Sequence, residues 1–104
     1  MSNLARLDGK LAIVTGGGSG IGEATAKVFS EAGATVVVTG RRPEQLERVA
    51  KEIDGHAMAC DVSDQAQVRT MFAQALQITG QIDILLNNAG EPGPIAPVAE
   101  VDME

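Results

Sequence analysis

Four short apolar runs alternate with three segments of helical periodicity, and that alternation limits this chain to few architectures. Leu11-Ala12-Ile13-Val14 is the first run, and it leads into Gly16-Gly17-Gly18-Ser19-Gly20-Ile21-Gly22. Ile21, Ala24, Thr25, Val28, Phe29 and Ala32 then recur at helical spacing, which predicts a helix with those residues on its core face and Gly33 as its stop. Thr35 to Val38 is β-branched without interruption, the pattern of a strand buried on both faces. Pro43 suits a first helical position, Leu46, Val49, Ala50 and Ile53 form the next helical stripe, and Asp54-Gly55 breaks it. His56 to Cys60 reads as a third strand. Ser63 is expected to cap a helix carrying Val68, Met71, Phe72, Ala75, Leu76 and Thr79 on one face, with Gly80 as its end. Ile82 to Leu86 is the fourth strand.

Strands and helices in strict alternation, with short connections, predict an α/β fold. Parallel strands need crossovers, and the crossover helices then cover the sheet. The chain reads as one unit over 1–104, without an internal repeat or a low-complexity linker. Its core must be aliphatic, because the sequence holds two Phe and neither Trp nor Tyr.

Charge narrows the partners. Fourteen acids against eight Lys and Arg give a net charge of −6, and Arg41-Arg42 is the one adjacent basic pair, so a nucleic-acid groove is not expected. Arg6, Asp8 and Lys10 interrupt any secretory signal, and no run approaches the ~18 apolar residues of a membrane span. The expectation is a cytoplasmic protein that does not engage a membrane. Cys60 has no partner for a disulfide and no metal-ligand spacing around it, and reads as a small buried core residue. His56, at a strand start, reads as a surface or half-buried residue.

Seven residues, five of them glycine, between a strand and a helix suit an anion. Without Cβ atoms the backbone N–H groups can approach a phosphate, and the helix N-terminus adds partial positive charge. A flexible glycine linker is the alternative. No Gly-Lys-Ser/Thr follows, so this is not a nucleoside-triphosphate loop, and no register fits G-x-G-x-x-G. The spacing is T-G-x-x-x-G-x-G, as Thr15, Gly16, Gly20 and Gly22.

That segment resembles the cofactor fingerprint of the short-chain dehydrogenases/reductases. Asn87-Asn88-Ala89-Gly90, after Ile82 to Leu86, is similar to the second signature of that family, and Asp61-Val62 to its adenine-side pair. The resemblance runs from about Leu7 to Glu104 and implies a Rossmann-type doubly wound parallel sheet with strand order 3-2-1-4. It implies that Gly16, Ser19, Gly20, Ile21 and Gly22 hold the pyrophosphate and nearby ribose. It implies that Asp61 accepts from the adenine amine with Val62 adding backbone contact, and that Asn88, Ala89 and Gly90 line the second half of the groove. Asn87 and Asn88 would also brace the central strands. Read alone, Asp61 could equally be a loop acid or a helix-capping partner of Ser63.

The choice of dinucleotide turns on the end of the second strand, where an NAD site places an acid about 20 residues past the glycine loop. Here the stretch is Val38-Thr39-Gly40-Arg41-Arg42, with no acid before Glu44. Arg41 and Arg42 are suited to a 2′-phosphate, which favours NADP over NAD; a solvated pair beside Pro43 is the alternative.

The resemblance also implies hydride transfer between a nicotinamide and a carbonyl or alcohol carbon, with a Tyr, a Lys and a Ser beyond the fourth strand. The sequence has no Tyr, so no catalytic residue is assigned. The expectation is the N-terminal, cofactor-binding portion of such an enzyme, truncated before its catalytic segment, with substrate and oligomer contacts belonging to the full-length parent. A stand-alone dinucleotide-binding module or sensor is the alternative, and a remnant that binds nothing is a third. Pro92, Pro94 and Pro97 mark a loop. A fourth strand at an open edge and an under-covered sheet face predict an exposed apolar patch on the order of a few hundred Å².

Overall fold

The computed structural model describes residues 7–16, 18 and 20–87. Seven elements follow in order: β1 (Leu11–Thr15), α1 (Gly20–Glu31), β2 (Thr35–Gly40), α2 (Pro43–Ile53), β3 (His56–Ala59), α3 (Gln65–Thr79) and β4 (Ile84–Leu86). The four strands form one parallel sheet in the order β3-β2-β1-β4, as expected. β1 pairs with β2 from Leu11↔Thr35 to Thr15↔Thr39 and with β4 from Ala12↔Ile84 to Val14↔Leu86. The order reverses between β1 and β4. Thus the crossover after β3 must carry the chain to the opposite side of the sheet.

Alternation along the strands divides the interior into two layers. Val14, Val36 and Val38 point toward α1 and α2 and pack with Ala26, Leu46, Val49 and Ala50. Leu11, Ile13 and Val37 point the other way and pack with Cys60, Met71, Ala75 and Ile82 beneath α3. All five residues of β1 are buried, as a strand covered on both faces requires. Each buried Val or Leu of this kind contributes about 1.5–3 kcal/mol.

The helix faces correct part of the sequence reading. In α1 the buried residues are Gly22 and Ala26, while Ile21 is 73% and Val28 61% exposed. Small residues let the helix backbone approach the sheet, so the close face is the Gly/Ala one and the larger side chains turn outward. In α3 Met71 and Ala75 are buried with Val68, Phe72 and Ile78 against them, whereas Leu76 and Thr79 are exposed.

The start of α3 also differs. Asp64, not Ser63, is the N-cap: its Oδ1 accepts from the backbone N–H of Ala66 at 2.9 Å and of Gln67 at 3.3 Å. A carboxylate at this position both satisfies orphan donors and faces the positive end of the helix dipole. Pro43 at the first turn of α2 and left-handed Gly80 after α3 stand as expected, but the C-cap of α2 is Asp54, at φ 56°. β4 is shorter than expected, because Ile82 and Asp83 precede it as loop residues. There Asp83 Oδ2 accepts the Leu11 N–H at 2.9 Å, and the Asp83 N–H donates to Leu11 O at 3.0 Å. Pro92, Pro94, Pro97 and Val98 to Glu104 lie outside the described residues.

Candidate functional site

Parallel strands bring their carboxyl ends to one side of the sheet, and the sequence motifs collect there. Gly16 leaves β1 at φ 69° and Gly20 opens α1 at φ 61°, both in the left-handed region that glycine adopts without steric cost. The Gly16 N–H donates to Thr39 O at 2.8 Å, tying the start of the loop to β2. Gly18 packs over α2: a Cβ there would lie 3.2 Å from Gln45 Cβ, closer than most such contacts. The absent side chain makes room for this crossing of loop and helix.

Two adjoining cavities open along this edge. One, of about 280 Å³, is lined by Gly16, Gly18, Gly40, Arg41, Arg42, Gln45 and Leu46. The other, of about 340 Å³, is lined by Gly16, Gly40, Arg41, Cys60, Asp61, Val62 and Ser63. Gly16, Gly40 and Arg41 belong to both, so the arginines and the acid expected from the sequence meet in one groove. Gly20 and Gly22 stand at the head of α1; Ile21 projects outward. Ser19, Asn88, Ala89 and Gly90 lie outside the described residues.

Asp61 is held from three directions. Its Oδ1 accepts from Ser63 Oγ at 2.7 Å and from the Ser63 N–H at 3.0 Å, and its own N–H donates to Gln67 Oε1 at 2.8 Å. These Ser63 bonds, with the charge of Arg41 behind them, hold its carboxyl below the usual 3.8, so it is ionised at neutral pH. The partnership with Ser63 left open by the sequence is therefore real, and it falls on one oxygen; no described side chain or amide bonds Oδ2. Cys60 is buried as expected, and that burial pushes its thiol up from 9.0, leaving it neutral at pH 7. His56 is exposed.

Sequence reasoning did not find several contributors. Gln67 sits three residues after the Asp64 cap, a D-x-x-Q spacing that signals a capping box, yet here it reaches back to Asp61. Arg48 of α2 lies beside the glycine loop, with Nη2 3.4 Å from Gly18 O. Thr15 Oγ1 donates to Asn87 Oδ1 at 3.0 Å, the bracing of central strands expected of the asparagine pair, realised by Asn87. Thr39 Oγ1 is buried between β1 and β3, where no nitrogen or oxygen among the described residues bonds it and the Cys60 thiol is its polar neighbour.

Among the described residues no cluster of His, Cys, Asp or Glu could hold a metal, and no helix is long and apolar enough to cross a membrane. The groove instead presents glycine backbone and two arginines at one cavity, and an acid with Val62 at the other.

Comparison with known proteins identifies a family that shares this fold. The sequence profile of the short chain dehydrogenase family matches residues 10–104. An uncharacterized oxidoreductase of Mycobacterium tuberculosis is 46% identical over 90 residues, covering 79% of this chain and 26% of the relative. Among solved structures, a hydroxysteroid dehydrogenase from Escherichia coli superposes with a TM-score of 0.80 at 40% identity, over 86% of this chain and 38% of that one. A 3-ketoacyl-(acyl-carrier-protein) reductase from Brucella melitensis, complexed with NADH, superposes with a TM-score of 0.73 at 46% identity, over 76% of this chain and 34% of that one. The chain spans between about a quarter and two fifths of the length of the curated relatives it matches.

Proposed function

The chain belongs to the short chain dehydrogenase family, and from that premise we propose that it is the dinucleotide-binding portion of an oxidoreductase that prefers NADP to NAD. The observation that carries the preference is the end of β2. Arg41 and Arg42 line a cavity with Gly16 and Gly18, and Gly40 stands where an acid would bind a ribose 2′-hydroxyl. Two guanidinium groups there suit a 2′-phosphate, whereas an NAD site would want a carboxylate.

The residues divide the ligand among them. Gly16, Ser19, Gly20, Ile21 and Gly22 hold the pyrophosphate with backbone amides and the α1 N-terminus, which carries about half a positive charge. Asp61 offers Oδ2 to the adenine amine while Ser63 and Gln67 keep its carboxylate and backbone in place, and Val62 adds apolar contact. The likeness of Asn88, Ala89 and Gly90 to the family's second signature supports a role for them in the second half of the groove. When bound, the nicotinamide supplies hydride chemistry, exchanged with a carbonyl or alcohol carbon. The naming of one structural relative as a hydroxysteroid dehydrogenase supports that substrate class. This chain binds and orients the cofactor and contributes no proton-transfer group, and the full-length protein acts in the cytoplasm.

Titration of the chain and its Arg41→Ala variant with NADPH and NADH tests the reading. Loss of the arginine is expected to weaken NADPH by about 1.5–3 kcal/mol, the range for hydrogen bonds to charged groups, and NADH far less. Equal weakening of both would refute the 2′-phosphate assignment. Absence of saturable binding to the folded chain would refute the dinucleotide site itself.

A further inference from the structure

Arg48 and its neighbours form an ionic lattice that the cofactor reading does not use. The guanidinium lies on Glu23 of α1 through two contacts, Nη1–Oε2 and Nη2–Oε1, each 3.3 Å, and on Glu52 at 3.4 Å. Lys27 joins the same two acids, at 3.2 Å from Glu23 and 3.1 Å from Glu52. Two acids and two bases thus neutralise one another across the α1–α2 seam. All four are exposed to a substantial degree at the side chain except Glu23, and exposed pairs of this kind add little to stability. Stability alone is a weak account of the arrangement.

The lattice has one contact that is not ionic. Arg48 Nη2 also donates to the carbonyl of Gly18, at 3.4 Å, and Gly18 is a wall of the cavity it shares with Arg41, Arg42 and Gln45. Gly18 also packs directly on α2, at Gln45. A trans peptide unit is rigid and planar, so anchoring its carbonyl edge fixes the direction of the whole unit. An anion-binding glycine loop depends on that direction, because its donors are main-chain amides that must be aimed at the phosphate. Arginine is well shaped for such anchoring. Its planar fork can engage Glu23 through both terminal nitrogens while Nη2 reaches the carbonyl, which a lysine ammonium cannot reproduce in the same geometry.

We propose that Arg48 is a positioning residue for the dinucleotide site, holding the Gly18 carbonyl, and with it the glycine loop, in place while the two-point contact with Glu23 holds Arg48. The proposal rests on the dinucleotide reading of the loop. Glu23 fixes the guanidinium relative to α1, whose N-terminus faces the same phosphates, so loop and helix are set against a common reference. Glu52 and Lys27 complete the lattice at a distance from the loop. Loss of Arg48 therefore frees the Gly18 carbonyl without removing any group that touches the ligand.

The test compares the wild-type chain with Arg48→Ala, Arg48→Lys and Glu52→Gln by calorimetric titration with NADPH and with adenosine, after circular dichroism has established that each is folded. Adenosine has no phosphate and reports on the Asp61–Val62 cavity alone. Arg48→Ala is expected to weaken NADPH about tenfold, the order expected when one amide contact to an anion is misaimed, and to leave adenosine within about twofold. Arg48→Lys recovers part of the loss, and Glu52→Gln leaves NADPH affinity unchanged. The proposal is overturned if Arg48→Ala binds NADPH like the wild type, if adenosine weakens in parallel, or if Glu52→Gln reproduces the loss. Should Arg48→Ala fail to fold, Arg48→Lys carries the same comparison, since it keeps stem and charge but lacks the fork. A folded wild type that binds no NADPH would instead defeat the dinucleotide reading and this proposal with it, a result distinct from equal binding by wild type and variant.

Discussion

Replacing Gly40 by Asp should reverse the proposed preference for NADP over NAD. Gly40 ends β2, lines both cavities, and lies twenty residues beyond Gly20, where an NAD-selective site carries its acid. A Cβ built there meets only Leu46 Cδ2, at 3.6 Å, an ordinary contact, and Gly40 is not among the positive-φ glycines. The variant therefore fits without backbone strain. Its cost falls on the ligand. A carboxylate about 5 Å from a 2′-phosphate repels it by about 3 kcal/mol per unit charge at an effective dielectric near 20. Salt, and the exposure of Arg41 and Arg42, reduce this to about 2–3 kcal/mol, or roughly 30- to 150-fold in NADPH affinity. NADH gains a carboxylate acceptor for its 2′-hydroxyl, about 1.5 kcal/mol or roughly tenfold. Fluorescence titration with both nucleotides, at low and high salt, reads the swing; the NADPH penalty should shrink as salt rises. Affinities that move together, or a ratio that changes less than about threefold, would show that Gly40 does not face the 2′ position and would sink the argument.

Other perturbations probe the scaffold. Thr39→Val removes a buried hydroxyl whose one close polar neighbour among the described residues is the weakly bonding Cys60 thiol, so it should raise stability by at most about 1 kcal/mol in urea unfolding; a clearly lowered midpoint would reveal a stronger bond that the hydroxyl makes. Asp64→Ala should cost about 1 kcal/mol through loss of the α3 cap. Ser63→Ala should spare the helix and raise the Asp61 carboxyl toward 3.8 in an NMR titration, and the opposite pattern would restore Ser63 as the cap. Glu23 is held below 4.5 by hydrogen bonds from Arg48 and Lys27, and Asp61 below 3.8 by Ser63. Groups lowered on folding stabilise fully above their unfolded values, and that contribution disappears as pH falls through the folded ones. Stability should therefore fall below about pH 4.5, and less steeply in Arg48→Ala. Lys27 is raised above 10.5 by Glu52 and Glu23, so its contribution is present below that value and is lost as pH rises through the folded one.

The fold was readable because its signals are local and repeated. Val36, Val37 and Val38 need no context to read as a buried strand, and glycines after Val14 can hardly be placed except at a strand-to-helix turn. The α1 face was not readable from hydrophobicity, because Gly22 and Ala26 rank low on any such scale yet permit the closest approach to the sheet. Ser63 and Asp64 are both good caps, and the choice between them was made by Asp61, which takes the serine hydroxyl for itself. The site divides the same way. Arg41 and the glycines lie at strand ends where spacing drew attention to them, and Asp61 was reached through its resemblance to a family signature; Gly16, Arg41 and Asp61 line the cavities. Arg48 and Gln67 act from the next helix along, where only the folded chain brings them to the loop and to Asp61.

The clasps at the two ends of the β1–β4 pair carry a consequence for the order of folding. Asp83 on Leu11 and Asn87 on Thr15 each join residues 72 apart, whereas Leu11 and Thr35 of the β1–β2 pair are 24 apart. Closing a loop three times longer costs about 1 kcal/mol more chain entropy, for three paired positions where the β1–β2 pair has five. The β1–α1–β2 unit should therefore form early and β4 dock late, stitched at each end by a side chain rather than by a long ladder. Pulse-labelled hydrogen exchange would detect this as late protection of the Asp83 and Leu11 amides, and protection simultaneous with Val37 would contradict it. Because β4 docks late, the glycine loop between β1 and α1 is in place before Asn87 reaches Thr15, and the cavities that this loop lines form ahead of the last clasp.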